Sequence, residues 1–407
     1  MNNTLITPSI IAKEALFHLE NNMVMGDKVH RQYKKEFVKI GDSVTIRQPV
    51  KFLATDGATR SNQDVIEQTT SIVINNRKHV SWSFSTQDLT LTIEEYAERY
   101  IKPAMIALSN CVDRALCIEG AQGFFNRVGT PGTTPADFLS LADVAQRMDE
   151  EPVPDDGYRC LVLNPAARWG LANGLGGTGS GGIFNAEIVH GMVRKGRLGE
   201  VAGFEIYGDQ NIAVHVTGEW SGTPAVNNPT FANDTDIIAF DGMVGAQVGA
   251  LVEGDTFTID GVFSVNDISK ESTGVLQQFV VQQSADTTGG AGQVQVYPPL
   301  NDGSTPSTAA FQTVSALPAD NALINITGDA GVGYPQNLGF HMNALALVTV
   351  PLELPDSATF KARADWRGYS IRVIKDYDID NDEEIIRLDI LFGTETIYPE
   401  LGVRLDG

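Results

Sequence analysis

The chain has 407 residues, is 42% hydrophobic and 20% charged, and carries a net charge of −22 at neutral pH. Roughly two to three domains with substantial cores follow from that length, and so large an acidic excess excludes a general nucleic-acid binder, which needs cationic surface to displace counterions from phosphates. A membrane helix needs roughly 18 or more apolar residues in a row; the best run here, LALVTV at 345–350, has the length of a core strand.

Thr7 and Pro8 mark a helix start with proline in the first turn, and Ile10, Ile11, Ala15 and Leu19 line a short amphipathic helix. Lys13 and Glu14 break this apolar run and no basic n-region precedes it, so it does not read as a signal peptide. The expectation is a soluble chain made in the cytoplasm. Residues 26–42 are polar and basic, with Val29, Tyr33, Phe37 and Val38 to bury, and residues 1–50 as a whole carry +2. With so thin a core, this arm packs either on its own domain or on a partner surface.

The period then changes to two. Val44 and Ile46 alternate within Ser43–Phe52, and Ile72, Ile74, Val80, Trp82 and Phe84 alternate within Ile66–Phe84, around the polar turn ATDGATRSNQD. These two runs predict one long hairpin. A lone ribbon is marginal in water, so it should lie on something else, such as a neighbouring subunit.

Helical spacing takes over from Thr92 to Ala121. Ile93, Tyr96, Ala97, Tyr100, Ile101, Ala104, Leu108, Cys111, Val112 and Ala115 form one apolar stripe, and Thr92 with Glu95 forms a capping box. This segment predicts a spine helix about 40 Å long, kinked at Pro103. Cys111, Cys117 and Cys160 read as small buried hydrophobes of a reducing compartment.

Beyond the Gly/Pro/Thr linker FFNRVGTPGTTPADF come a helix capped by Ser140, a strand at 158–163, and a short helix capped by Asn164 and Pro165 that runs through Trp169 and Leu171. A further helix is expected at about 186–194, then two short strands within 196–216. From Ser221 onward short alternating strands and Gly-rich turns dominate, and residues 222–333 carry −11, half the net charge of the chain. So abrupt a shift marks a separate, solvent-facing β-module. The chain closes with a hairpin, SIRVIKDYD and EEIIRLDILFG around Asn381-Asp382.

No catalytic constellation emerges. The glycine cluster at 174–182 follows a helix and lacks the Gly-Lys-Ser/Thr ending of a phosphate loop, so it reads as a flexible loop. DYDIDNDEE at 376–384 lacks the glycine and the bidentate glutamate of a calcium loop in either register and reads as a solvated turn. His18, His30, His79, His190, His215 and His341 have no metal spacing, and no nucleophile elbow or singled-out carboxylate pair is present.

Three segments, RKGRLGEVAGFEIYGDQNIAVHVTG (194–218), NLGFHMNALALVTVPLELP (337–355) and RGYSIRVIKDYDIDNDEEIIRLDILFGTETIYPELGVRLDG (367–407), together resemble the major capsid proteins of short-tailed, podovirus-type phages. The order of arm, hairpin, spine helix, mixed domain, β-insert and terminal hairpin is similar too. The resemblance implies an α+β, HK97-like capsid fold. Residues 1–42 would be the N-terminal arm, 43–84 the extended loop, 85–135 the spine helix and peripheral domain, 136–220 the first part of the axial domain, 221–333 the inserted β-domain on the outer surface, and 334–407 the return of the axial and peripheral domains with the terminal hairpin.

It also implies a homo-oligomer of pentamers and hexamers in an icosahedral virion shell, assembled with a scaffolding protein, joined to a portal protein and filled with double-stranded DNA. No catalytic residue, metal or cofactor carries over. In such a shell Arg31, Lys34, Lys35 and Lys39 are expected to face scaffold or DNA. Arg60, Arg77 and Lys78 are expected to meet acids on a neighbouring subunit, at about 0–1 kcal/mol per exposed pair. Two other readings stay open: a β-rich calcium- or glycan-binding surface protein, and a hydrolase with a convergent polar pocket.

Overall fold

The computed structural model describes residues 8–31, 43–54, 62–63, 65–85, 97–176, 198–228, 230–356, 358, 360–379 and 383–407. In chain order the elements are α1 (Pro8–Asn22), β1 (Ser43–Arg47), β2 (Thr69–Val73), β3 (Asn76–Ser85), α2 (Lys102–Gly123), β4 (Asn126–Val128), α3 (Phe138–Glu150), β5 (Arg159–Leu163) and α4 (Pro165–Gly176). Next come β6 (Glu200–Val201), β7 (Phe204–Gly208), β8 (Val214–Val216), β9 (Gly222–Val226), β10 (Thr235–Met243), β11 (Thr256–Val265), β12 (Ser272–Gln283), β13 (Gly292–Leu300) and β14 (Ile324–Ile326). The last six are β15 (Gly333–His341), β16 (Leu345–Thr349), β17 (Phe360–Trp366), β18 (Tyr369–Asp378), β19 (Glu383–Thr396) and β20 (Gly402–Asp406).

The chain divides into two compact units. Residues 1–46, 69–116 and 345–397 make the first; residues 47–68, 117–344 and 398–407 make the second.

The sheet of the first unit is ordered β16-β19-β18-β17, with β3 also paired to β19. Here the structure departs from the sequence expectation. Among the described residues β1 pairs with β2 alone, whereas β3 runs antiparallel to β19 from Glu383↔Ser85 to Phe392↔Asn76. Alternation marks β3 as a half-buried strand but does not name its neighbour, and a 14-residue β19 offers more hydrogen bonds than a free ribbon. The hairpin is therefore shorter than expected, and Ile72 in its second strand and Ile74 just after it are buried where Gly393 of β19 leaves room. Helix α1 packs on β17 and β18 through a face that includes Ile11, Ala15 and Leu19.

Helix α2 is 22 residues long, shorter than the apolar stripe suggests, and a π-helical turn at Ala97–Ile101 precedes it. Pro103 sits in its first turn instead of kinking its middle. At that position its missing N–H has no intrahelical partner to lose. Thr92 and Glu95, the expected capping box, lie outside the described residues. Cys111 is exposed, against expectation, whereas Cys117 and Cys160 are buried.

In the second unit the main sheet runs β4-β20-β15-β5-β7-β6, with β8 paired to one end of β15. Three short strands, β6, β7 and β8, stand where two are expected. Helices α3 and α4 share a core with this sheet, built from Leu141, Val144, Met148, Leu161, Leu171, Leu175, Phe204 and Val403 among others. The residue preceding α3 is Asp137, extended and without a side-chain cap bond, so Ser140 lies one turn inside the helix. Asn164 does cap α4: its Oδ1 accepts the Ala167 N–H at 2.7 Å. Asn164→Ala should cost about 1 kcal/mol, read as a lowered thermal midpoint of the full-length chain.

Helix α4 also runs further than expected, to Gly176, into the start of the glycine cluster. A Cβ at Gly170 would come 2.8 Å from the Pro135 carbonyl oxygen, and one at Gly174 would overlap that of Ala136. Glycines spaced four apart thus let the chain before α3 lie directly on the helix backbone. Residues 177–182, and the expected helix at 186–194, lie outside the described residues.

Strands β9 to β14 form an antiparallel sheet ordered β14-β11-β12-β13-β10-β9. An Ala225↔Leu323 bridge and the mutual backbone bonds of Val226 with Ala322 and Asn321, at 2.9 and 2.8 Å, close it into a barrel. Closure removes the unpaired edges that a six-stranded sheet would expose. Its interior holds Val226, Ile238, Phe240, Phe257, Ile259, Phe279, Val281, Val294, Val296 and Leu300, a core of its own. These strands lie within residues 221–333, the stretch that carries −11.

Candidate functional site

The chain enters the barrel after β8 and leaves it into β15, and these two strands pair with each other at Val216↔Gly333. Thr217 ties the two crossings together, its N–H donating to the Val332 carbonyl at 3.1 Å and its Oγ1 to that of Asp329 at 2.5 Å. Entry and exit at one point are what allow a whole domain to be inserted into another without disturbing the host sheet.

A buried ionic seam holds the barrel there. Arg127 of β4 donates through Nε to both Asp406 oxygens, at 2.9 and 2.7 Å, and through Nη1 to Thr256 Oγ1 of β11 at 3.0 Å. Gln278 of β12 binds the Arg127 backbone as another strand would, accepting its N–H at 2.7 Å and donating to its carbonyl at 2.8 Å. Asp406 also accepts from Gln336 Nε2 at 2.9 Å. The seam therefore joins β4, β15 and β20 of the main sheet to two strands of the barrel.

Arg404 lies alongside, fully buried, with Nη1 donating to the carbonyls of Ala121 at 2.5 Å and Gly254 at 2.7 Å. Burial, with Arg127 close by, pushes its guanidinium down to about 9, against the pull of Asp406 and Asp255; it stays charged at neutral pH. Asp255, also buried, faces His215 Nε2 at 2.8 Å and accepts the N–H of Val252 at 2.8 Å and of Gly218 at 3.1 Å. Each of these charges is out of water; Arg127, Arg404 and Asp255 have partners in both the barrel and the host, and Asp406 holds Arg127 from the host side, so the seam fixes how the insert is seated.

A second buried ionic cluster organises the sheet of the first unit. Asp389 of β19 is inaccessible to solvent, and three arginines converge on it: Arg372 Nη2 at 2.6 Å, Arg387 Nε at 2.8 Å and Arg77 Nη2 at 3.7 Å. Arg372 and Asp389 face each other directly across β18 and β19, and Arg77 comes from β3.

Of the residues expected at intersubunit contacts, Arg77 thus already has a carboxylate within its own sheet. Lys78 is exposed on β3 opposite Ile390. Arg31 binds Asp27 Oδ1 at 3.0 Å and stacks over the Tyr369 ring at 4.9 Å. Lys34, Lys35, Lys39 and Arg60 lie outside the described residues. Of the acids of 376–384, Asp376 and Asp378 sit on β18 and Glu383 and Glu384 on β19, with Tyr377 opposite Glu384 and Lys375 2.5 Å from Glu384; Asp380 and Asp382 lie outside the described residues. Among the described residues, no group of His, Cys, Asp and Glu is arranged to hold a metal ion, and no helix is long and apolar enough to cross a membrane.

The arginines and acids of the seam escape sequence reasoning because a strand such as GVRLD presents Arg404 and Asp406 on one face and reads as exposed there. The available signal is their alternation, i and i+2, in a strand with apolar residues on its other face.

The chain is similar to a solved structure from Mycobacterium phage Che8, at 13% identity over 94% of this chain and 90% of that one, with a TM-score of 0.49. It is similar to a chain of the bacteriophage PhiM1 mature capsid, at 12% identity over 93% and 86% of the two chains, with a TM-score of 0.43. The CUS-3 coat protein I-domain matches at 28% identity over 28% of this chain and 97% of that one, with a TM-score of 0.18. No curated protein matches the chain. The profile of the family described as P22 coat protein, gene protein 5, matches residues 1–407, and the chain belongs to that family.

Proposed function

We propose that this coat protein is the major capsid subunit of an HK97-like icosahedral shell, assembled with a scaffolding protein in the host cytoplasm and later filled with double-stranded DNA through a portal. Family membership over all 407 residues is the observation that carries this reading. In it, 1–42 serve as the arm, 43–84 as the extended loop, 85–135 as spine and peripheral domain, 136–220 and 334–407 as axial and peripheral parts, and 221–333 as the outward insert.

Two features of the chain support a role as shell subunit. Its buried charges are spent on seating a barrel and pinning a sheet, and the mildly basic arm suits an inward face that meets scaffold or DNA. Arg31, Lys34, Lys35 and Lys39 are the residues proposed for that electrostatic contact. Lys78 and Arg60 are proposed to meet acids of a neighbouring subunit, with Arg77 shared between that contact and Asp389.

Sedimentation velocity of the chain, expressed alone and with each neighbouring open reading frame, tests the partner requirement. Uniform shell-sized particles only in the presence of one such frame identify the scaffold. Shells equally uniform without any partner contradict scaffold-directed assembly.

A further inference from the structure

In the first unit a groove of about 1050 Å³ opens between α1 and the turn that joins β17 to β18. Ser9, Lys13, Leu16 and Phe17, at helical spacing, form its α1 wall. Trp366 and Arg367 belong to the opposite wall. Both aromatic side chains are open to solvent, Phe17 58% and Trp366 57% exposed.

The turn sets an arginine at this groove against local preference. Trp366 pairs with Tyr369, so two residues close the turn, and both have positive φ, 46° at Arg367 and 92° at Gly368. Glycine, asparagine or aspartate suits the first of these positions, and arginine is strained there. Its guanidinium lies 5.9 Å from the centre of the Trp366 ring. Of the carboxylates lining the groove, Asp27 is bound by Arg31 at 3.0 Å and Asp365 lies 3.6 Å from Arg363. With Lys13 and Arg367 added, cations outnumber carboxylates here, on a chain whose net charge is −22.

A complementary surface stands at the far end of the same sheet. Residues 376–384 carry six acids and no base. Asp376 and Tyr377 are exposed on the last turn of the pleat of β18, and Ile379 just beyond it is 82% exposed. Asp378 stands directly opposite Glu383, a like-charge pair that costs stability within one chain and gains it when cations face both. β18 puts about 30 Å between this end of the hairpin and the groove, so no copy can place its own hairpin end in its own groove.

We propose that the groove is the docking site for the end of the β18–β19 hairpin of a second copy of this chain. Tyr377 and Ile379 enter between Phe17 and Trp366, and Asp376, Asp378 and Glu383 meet Lys13, Arg363 and Arg367. Groove and hairpin end are different patches of one subunit, so the contact is head-to-tail and passes from copy to copy until a ring closes. In the shell-subunit reading, on which this proposal rests, such a contact joins neighbouring subunits. Tryptophan, tyrosine and arginine are the side chains that most often carry the energy of an interface.

Carbodiimide coupling joins an amine to a carboxylate in contact with it and adds no spacer. The full-length chain is treated alone and after co-expression with its scaffold candidate, and linked peptides are read by mass spectrometry. The expected product is a bond from Lys13 to an acid of 376–384, which the length of β18 restricts to two different copies. Arg363→Glu with Arg367→Glu should lower its yield about tenfold, since like charges then face each other. Ile379→Ser, at a position that buries almost nothing in its own chain, should lower it too. Links from Lys13 only to Asp27, Asp365 or acids elsewhere in the chain, in both samples, overturn the docking site, as do unchanged yields in the variants. Sedimentation reads particle size separately: shells without this link overturn the docking site and leave the shell reading standing, and small oligomers that carry the link do the reverse.

Discussion

Asp389→Ala should destabilise the first unit by about 3–5 kcal/mol, a large share of the roughly 5–15 kcal/mol that holds an ordinary domain folded. The carboxylate is fully buried and answers Arg372 at 2.6 Å, Arg387 at 2.8 Å and Arg77 at 3.7 Å. Its removal leaves converging guanidinium groups without a counter-charge, Arg372 among them largely out of solvent. β3, β18 and β19 meet at this point, so the loss should reach the whole sheet. Denaturant unfolding followed by tryptophan fluorescence measures it, since Trp82 and Trp366 lie on β3 and β17. Asp389→Asn should cost less, because the amide oxygen still accepts one arginine bond. A loss below about 1 kcal/mol for the alanine variant would place the cluster among ordinary surface pairs.

Arg127→Met should cost a similar 3–5 kcal/mol in the second unit and should also uncouple the barrel from its host. Asp406 would keep Gln336 but lose the guanidinium that binds both its oxygens. Thr256 would lose its Nη1 donor at the same time. The barrel has a closed sheet and its own interior, so it should stay folded. Calorimetry should then show a barrel transition separated from that of the main sheet, whereas the unmodified chain should unfold the two together. Arg127→Met with Asp406→Leu should recover part of the loss, since replacing a buried pair by apolar groups removes both desolvation costs. If the double variant is as unstable as the sum of the single ones, the two charges do not act as a pair.

Much of the architecture is legible in the sequence, and the limits are physical. The charge shift at about residue 221 and the short alternating strands announce the barrel, because a module that buries its own core can keep a composition of its own. The terminal hairpin is legible because β18 and β19 are adjacent in the chain and pair with each other. β3 is different. Its period of two says that one face is buried, and nothing local says that its hydrogen-bonded neighbour is β19, some 300 residues later. The 22-residue α2 shows the same limit, since an apolar stripe continues through a π-helical turn without recording where the α-helix begins.

The site is less legible than the fold. Arg127, Asp255, Arg404 and Asp406 are charged residues, which composition assigns to the surface, and only tertiary pairing makes their burial tolerable. The residues expected to face scaffold or DNA, such as Arg31, and those expected to meet a neighbouring subunit, such as Arg77, stand out in the sequence by sign of charge alone. Sign does not tell an arginine that meets its own chain, such as Arg31 or Arg77, from one that waits for a neighbour.

The central claim, that this chain is a shell subunit with an outward β-barrel, is tested most directly by electron microscopy of the purified full-length protein, co-expressed with its scaffold candidate. The account predicts closed shells tens of nanometres across, with density for residues 221–333 on the outer surface. Monomers or small discrete oligomers under every condition, or barrel density inside the shell, would contradict it.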